Sequence, residues 1–325
     1  MSFDAFRPFR IFNPFRTLSG DGKINQPVLL LDGSGNVVRT AGGDALSQGR
    51  RRVVPVEEAA SELDALIAAL YGNDEAGGLW LPGPTTCFTD EAGTTAAGED
   101  DPVRRINDLS GNGNHATQAD IDKAPALKKT AEGLWYLNFD GTDDFLITSS
   151  GLALSSATHL YAGASILKLA DPGTLRYVLN TGGDAVSSVR IIAPSNLGRH
   201  YMVASNMGTN REVPTTAAEY ASPHTSVFAL HNVLGPNSAS GNDEIRLRIN
   251  GAQVGATLAA DQGASAYPDD AFAIGGRSTH NLNFFQGRIY GAAVTTKNMF
   301  ADLGGDADAL VDLEAYLAAR AGIEL

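Results

Sequence analysis

The sequence predicts an all-β chain: a two-sheet antiparallel sandwich of jelly-roll type, with an extended N-terminal arm, a linking helix and a short C-terminal helix. Three observations predict it. Short apolar runs at strand spacing recur from residue 79 to residue 294, broken by Gly, Pro, Asn and Asp. Residues 134–139 and 144–147 are two such runs joined by the turn chemistry of Gly141-Thr142-Asp143. Asn250-Gly251 sits between the alternating runs of IRLRINGAQV, a strong hairpin signal. The 36 glycines in 325 residues suit short strands and tight turns.

In chain order, residues 1–55 form an arm. Phe3, Phe6, Phe9, Phe12 and Phe15 recur every third residue among Arg7, Arg10 and Arg16, with Pro8 and Pro14 excluding an ordinary helix. A three-residue period in an extended, polyproline-like segment makes an aromatic ridge flanked by arginines that cannot be buried against itself. Those eight Phe and Arg residues are expected to dock the chain in a groove of a partner. PVLLLD, the turn at Gly33-Ser34-Gly35-Asn36 and VVRT read as a hairpin within the arm. Residues 56–76 form the linker, with a helix from Val56 to Tyr71: Leu63, Leu66, Ile67 and Leu70 are helically spaced, acids occupy the first turn, and Gly72-Asn73 stops it.

Residues 77–325 are read as one body. Its candidate strands are 79–81, 134–139, 145–148, 158–169, 175–180, 189–193, 200–204, 226–233, 245–249, 271–274 and 284–294. A closing amphipathic helix is expected over 306–320, with Leu310, Leu313 and Leu317 on one side. Trp80, Trp135, Phe139 and Phe285 are assigned to packing.

Charge is unevenly divided. Residues 1–52 carry eight basic and four acidic side chains, net +4, whereas the rest carries 16 basic and 33 acidic, net −17. An acidic body repels nucleic acid, so none is expected as a partner. No apolar run approaches the roughly 18 residues a spanning helix needs, and no secretory signal is visible. The single Cys87 allows no intrachain disulfide and reads as a small buried hydrophobe. The chain is expected to be made and folded in a cytoplasm.

The text DLSGNGNHATQ followed by LNFDGTDDFL, preceded by GLWLPGPTTCFTDEAGTT and followed by FFQGRIYGAAV with a short helix, resembles concanavalin A-like, laminin-G-like jelly-roll domains. It looks most like those carried on bacteriophage tail-fibre and head-spike proteins, over roughly residues 77–325. The resemblance implies a virion structural protein, assembled in the host cytoplasm as a homo-oligomer. Its arm would anchor it to other virion proteins, and its body would bind host surface polysaccharide.

No catalytic constellation holds. Glycosidases of this superfamily place acids at alternate positions of one strand so that both face the cleft, and no E-x-D-x-E run exists here. There is no G-x-S-x-G elbow and no H-E-x-x-H, and the six histidines (His115, His159, His200, His224, His231, His280) are read as isolated. The chain is therefore read as a non-enzyme without cofactor, with a polysaccharide depolymerase or a purely architectural decoration protein as the alternatives. For glycan binding the candidates are Tyr201, Asn206, Tyr267, His280, Asn281 and Phe284, aromatic and amide side chains in or beside polar loops. Calcium is weighed at Asp108, Asn112, Asp140 and Asp143. The D-x-S-x-N-G opening offers hard oxygen donors, but position twelve is Ala119, and Tyr290 stands where laminin-G relatives place an Asp. The competing reading is that Asp108 and the loop asparagines bond their own backbone.

Overall fold

The computed structural model describes residues 30–31, 37–38, 56–171, 173–181, 187–195, 198–235, 243–263, 266–277 and 282–325. The Phe/Arg ridge expected in the arm lies outside them. The arm's hairpin is seen as β1 (Leu30–Leu31) paired antiparallel with β2 (Val37–Val38). The helix α1 (Val56–Tyr71) has the bounds its apolar spacing predicts, and Gly72 N–H closes it on the Ala68 carbonyl at 2.9 Å.

Seventeen further strands follow, all joined antiparallel: β3 (Gly77–Trp80), β4 (Cys87–Phe88), β5 (Arg105–Ile106), β6 (Ala116–Thr117), β7 (Ala126–Lys129), β8 (Trp135–Asp140) and β9 (Leu146–Gly151). Next come β10 (His159–Lys168), β11 (Tyr177–Thr181), β12 (Ser187–Ile192), β13 (Tyr201–Met207) and β14 (Asn210–Thr215). The last are β15 (His224–Val233), β16 (Glu244–Ile249), β17 (Ala252–Ala259), β18 (Ala271–Ile274) and β19 (Gln286–Thr295), before α2 (Ala307–Arg320). Sheet I has eight strands in the order β17-β16-β15-β10-β19-β8-β7, with β3 also paired to β19. Sheet II has nine, in the order β14-β13-β12-β11-β18-β9-β6-β5-β4. The body is thus the expected two-sheet antiparallel jelly-roll sandwich.

All eleven predicted strands overlap an observed one. Of the six outside that list, β4 to β7 and β14 are two to six residues long and carry no clear alternation, and β17 was signalled only by the hairpin turn before it. Asn250 (φ 50°) and Gly251 (φ 80°) make the β16–β17 turn, with both central residues in the left-handed region that a two-residue hairpin of this kind requires.

The intersheet core contains Trp80, Trp135, Phe139 and Phe285 as expected; the Trp80 ring stacks on Phe272 at 5.1 Å. Burial of each such side chain is worth roughly 1.5–3 kcal/mol. Cys87 lies in this core, and burial pushes its thiol up to about 11, so it is a packing residue.

The central strands β10, β15 and β19 are buried on both sides, because α1 and α2 cover the outer face of sheet I. Leu66, Leu70 and Tyr71 of α1 and Leu310, Leu313 and Leu317 of α2 pack there on Tyr161, Val227, Ala229 and Ala293. Small residues let the helix approach: a Cβ on Gly291 would stand 3.0 Å from Leu317 Cδ2. Ion pairs lock the layer. Glu314 of α2 takes both Nε (2.7 Å) and Nη2 (2.8 Å) of Arg248, and Arg246 bonds Glu244 and Asp302. No described helix is long and apolar enough to cross a membrane.

Candidate functional site

Two turns carrying aspartate were singled out by the sequence, and the fold uses them differently. In the loop after β5, Asp108 is buried and both its oxygens are taken by protein donors. Oδ1 accepts the N–H groups of Leu79 and Ser110 (2.9 Å each). Oδ2 accepts the Ser110 hydroxyl (2.7 Å) and the Asn114 N–H (2.9 Å). The Asn112 amide donates to the carbonyls of Glu75 and Gly77, and the Asn114 amide donates to Gly77 at 2.7 Å. The loop is a latch that fastens β3 and the end of the linker to the body. For this loop the hydrogen bonds match the competing reading, in which Asp108 and the loop asparagines bond backbone groups.

The other turn joins β8 to β9. Asp140, Asp143 and Asp144 are the only three acidic, His or Cys side chains among the described residues with ligand atoms all within 4.8 Å of one another. This oxygen donor set would suit a hard cation. Of the four calcium candidates the fold thus brings together Asp140 and Asp143, and adds Asp144. Burial pushes the Asp144 carboxyl up to about 6; the Asp140 N–H opposes this, while the charges of Asp140 and Asp143 add to it. Gly141 (φ +82°) turns the chain tightly against β19, where a Cβ would come 2.7 Å from Gln286 Cβ. Arg176 caps the turn, donating to the carbonyls of Gly141 (2.5 Å) and Phe284 (2.8 Å).

This turn lies at one end of the sandwich, where the strand ends of both sheets gather further polar groups. Lys168, the last residue of β10, points between the sheets and is fully buried. Its Nζ donates to Asp171 Oδ1 (2.6 Å) and the Tyr220 carbonyl (2.9 Å), and stands 5.2 Å from the Tyr201 ring centre. Burial lowers the Lys168 ammonium, with Asp171 opposing the shift. Burial works against the charge on Asp171 in turn, but Lys168 and the Ser222 N–H outweigh it and hold that carboxyl below the usual range. His200 Nδ1 lies 3.3 Å from Asp171 Oδ2. The Tyr201 hydroxyl meets His224 Nδ1 (2.8 Å) and Ser226 Oγ (2.9 Å). Burial, with the charges of Lys168 and His200, holds His224 below its ordinary value. Half-buried Tyr220 packs on this cluster, and half-buried Phe145 and the exposed Leu169 and Leu282, 42% and 55% accessible, lie in segments at the same end.

The four predicted sugar residues that are described do not form one open surface. Tyr201 is fully buried, its ring 4.6 Å from Phe228, so no ring face is open to a ligand. Tyr267 is buried in the core. Asn206 lies near the far end of β13, about 16 Å along the strand from Tyr201 at roughly 3.3 Å per residue. Phe284 is at the loop end, buried, and 6.1 Å from Phe145. His280 and Asn281 lie outside the described residues. The histidines are not isolated either: His200 and His224 flank the Lys168 cluster, and His159 and His231 rings lie 6.3 Å apart. Lys168, Asp171, Arg176 and Asp144 carry the polar architecture of this end and were not selected from the sequence. Lys168 offered one signal, a lone cation closing an apolar strand.

No family model matches the chain, and no curated protein matches it. Among solved structures it is similar to the botulinum neurotoxin serotype D binding domain, at 13% identity and a TM-score of 0.49, covering 76% of this chain and 52% of that one. It is also similar to Trypanosoma rangeli sialidase in complex with sialic acid, at 12% identity and a TM-score of 0.49, covering 86% of this chain and 36% of that one. The binding domain of Paraclostridial Mosquitocidal Protein 1 matches at 12% identity and a TM-score of 0.46, over 71% of this chain and 49% of that one. The chain therefore spans about half or less of each of these neighbours.

Proposed function

We propose that the sandwich is a carbohydrate-binding body that contacts its ligand at the loop end, and that residues 1–55 dock it on a larger particle, a virion. The observation that carries the binding reading is convergence. Half-buried Phe145 and Tyr220 and exposed Leu169 and Leu282 lie in segments that adjoin the same strand ends as Asp140, Asp143, Asp171 and His200. Apolar faces with a few fixed polar groups are the composition that recognises a sugar ring, whose own surface alternates C–H faces and hydroxyls. The docking reading rests on the Phe/Arg period of the arm, and the virion on the resemblance of the body's motifs.

The depolymerase alternative would run through the same end. Asp144, with its carboxyl raised to about 6 beside Asp140 and Asp143, is the one acid there with the character of a proton donor. One experiment separates the readings. The full chain is incubated with purified bacterial surface polysaccharides, and retention is followed together with release of new reducing ends. Retention that weakens tenfold or more in Tyr220→Ala, without new reducing ends, is expected. Release abolished by Asp144→Asn would establish the enzyme. A chain that neither retains nor cuts any polymer would sink the binding proposal.

A further inference from the structure

The outer face of sheet I, under the helical layer, buries a titratable group far in kind from those of the loop end. His231 lies there in a cross-strand row, between Tyr161 of β10 and Arg246 of β16. It is fully buried, and neither of its ring nitrogens has a hydrogen-bond partner. Its ring stacks on Phe300, with centroids 3.5 Å apart, and the His159 ring lies 6.3 Å away. The guanidinium carbons of Arg246 and Arg248 stand 5.0 and 5.7 Å from the Phe300 ring centre. The acids of the layer already hold those arginines: Glu244 and Asp302 bond Arg246, and Glu314 of α2 bonds Arg248. From α1 comes Tyr71, whose hydroxyl is bonded to the carbonyls of Gly78 and Val294.

A proton on His231 would be a third cation in a dry site beside two guanidinium groups, with no acceptor in place for its N–H groups. Phe300 compensates little, because the same ring already faces both arginines. Burial, with the charges of Arg246, His159 and Arg248, holds the imidazole well below its ordinary value. We infer that His231 is an acid-sensitive catch: while neutral it lets residues 298–320 close over sheet I, and when protonated it makes that layer lift. The layer is the part that yields, because Phe300 covers the ring while β15 stays paired with β10 and β16. Lifting wets the imidazole and bares Leu310, Leu313 and Leu317 of α2 together with Val227, Ala229 and Ala293 beneath. A histidine held below its unfolded value of about 6.5 gives the closed form a stability that is fully present above that pH and is lost as pH falls. His159, itself lowered by burial, adds to the same window. The Asp302 pair titrates lower, since Arg246 holds that carboxyl below the usual range.

The test follows backbone amide exchange of the full chain from pH 7.5 to 5, corrected for its intrinsic pH dependence, in α2 and in β13 of sheet II. One proton taken up on opening raises the opening equilibrium by up to about tenfold per pH unit. We therefore expect α2 protection to fall about tenfold or more between pH 6.5 and 5, while β13 keeps its own and an apolar dye binds over the same range. His231→Phe keeps a ring against Phe300 and takes no proton, so it should flatten the α2 profile. Unchanged α2 protection in the parent, an equal loss in β13, or a His231→Phe profile like the parent's would each overturn the inference. Should that variant fail to fold, side-chain NMR of the parent decides: a His231 imidazole titrating near 6.5 with the layer still closed overturns the catch.

Discussion

The turns around Asp108 and Asp144 have similar sequences and opposite electrostatics. DLSGNGN and DGTDD both place aspartate among glycine and small polar residues, and both were weighed as cation sites. In the first, one buried carboxylate accepts four hydrogen bonds, so its charge is fully compensated and organises the chain around it. In the second, three carboxylates share a small volume, and the buried one, Asp144, accepts the Asp140 N–H. There the backbone N–H groups of Asp140, Thr142 and Asp143 are spread over three carboxylates, so charge is only partly compensated. The comparison teaches that the number of donors aimed at a turn, not its composition, separates a structural latch from a site able to take a ligand or a proton.

Three experiments break or sharpen this contrast. The largest effect is expected from Asp108→Ala. It strands the N–H groups of Leu79, Ser110 and Asn114 and the Ser110 hydroxyl, each costing about 1–3 kcal/mol when left unpaired in the interior. A loss of about 3 kcal/mol or more, read from the denaturant midpoint, is expected; a loss under about 1 kcal/mol would mean that the latch is decorative.

Asp144→Asn is expected to act in the other direction. A carboxyl whose folded pKa stands at about 6, above its unfolded value near 4, favours the native state while protonated. Its contribution is present below about pH 4 and is lost as pH rises to about 6. The parent should therefore lose melting temperature across that window. Asp144→Asn should lose less of it and melt a few degrees higher at pH 7, with the Asn oxygen still accepting the Asp140 N–H. Parallel melting curves for the two proteins from pH 4 to 7 would show that the Asp144 carboxyl is not raised.

The smallest effect belongs to Asp140→Asn, on an exposed residue whose side chain accepts the Thr142 N–H at 2.7 Å. Stability should change by less than about 1 kcal/mol. The Asp144 midpoint, followed by carboxyl NMR, should move down because one neighbouring charge is gone. An unmoved midpoint would leave burial and Asp143 as the causes of the raised value.

Much of the fold was legible in the sequence. The α1 bounds follow from leucines on one helical face and a glycine stop, and the β16–β17 hairpin from Asn250-Gly251. The core places of Trp80, Trp135, Phe139 and Phe285 follow from alternation. The candidate site was mostly illegible. Tyr201 was expected in a strand beside a polar loop, and β13 does begin with it, but its ring turns inward and is the lid over Lys168 inside the sandwich. The two-residue strands β4, β5 and β6 are too short to show any period.

By itself, then, the sequence determined what local chemistry can determine: periodicity, turn residues, helix stops and the division of charge between a basic arm and an acidic body. The tertiary structure alone decided which polar groups meet. Lys168 reaches the carbonyl of Tyr220 because β10 pairs with β15 while β13 lies across the core in the other sheet. Arg190 and Glu212 share a face because two hairpin registers align them. The same holds for the four donors that converge on Asp108, two of which come from Leu79 and Asn114. The physical reason is range. Backbone conformation is set by neighbours a few residues apart, whereas the hydrogen-bond and charge balance of a buried group depends on residues that only the sheet order brings near.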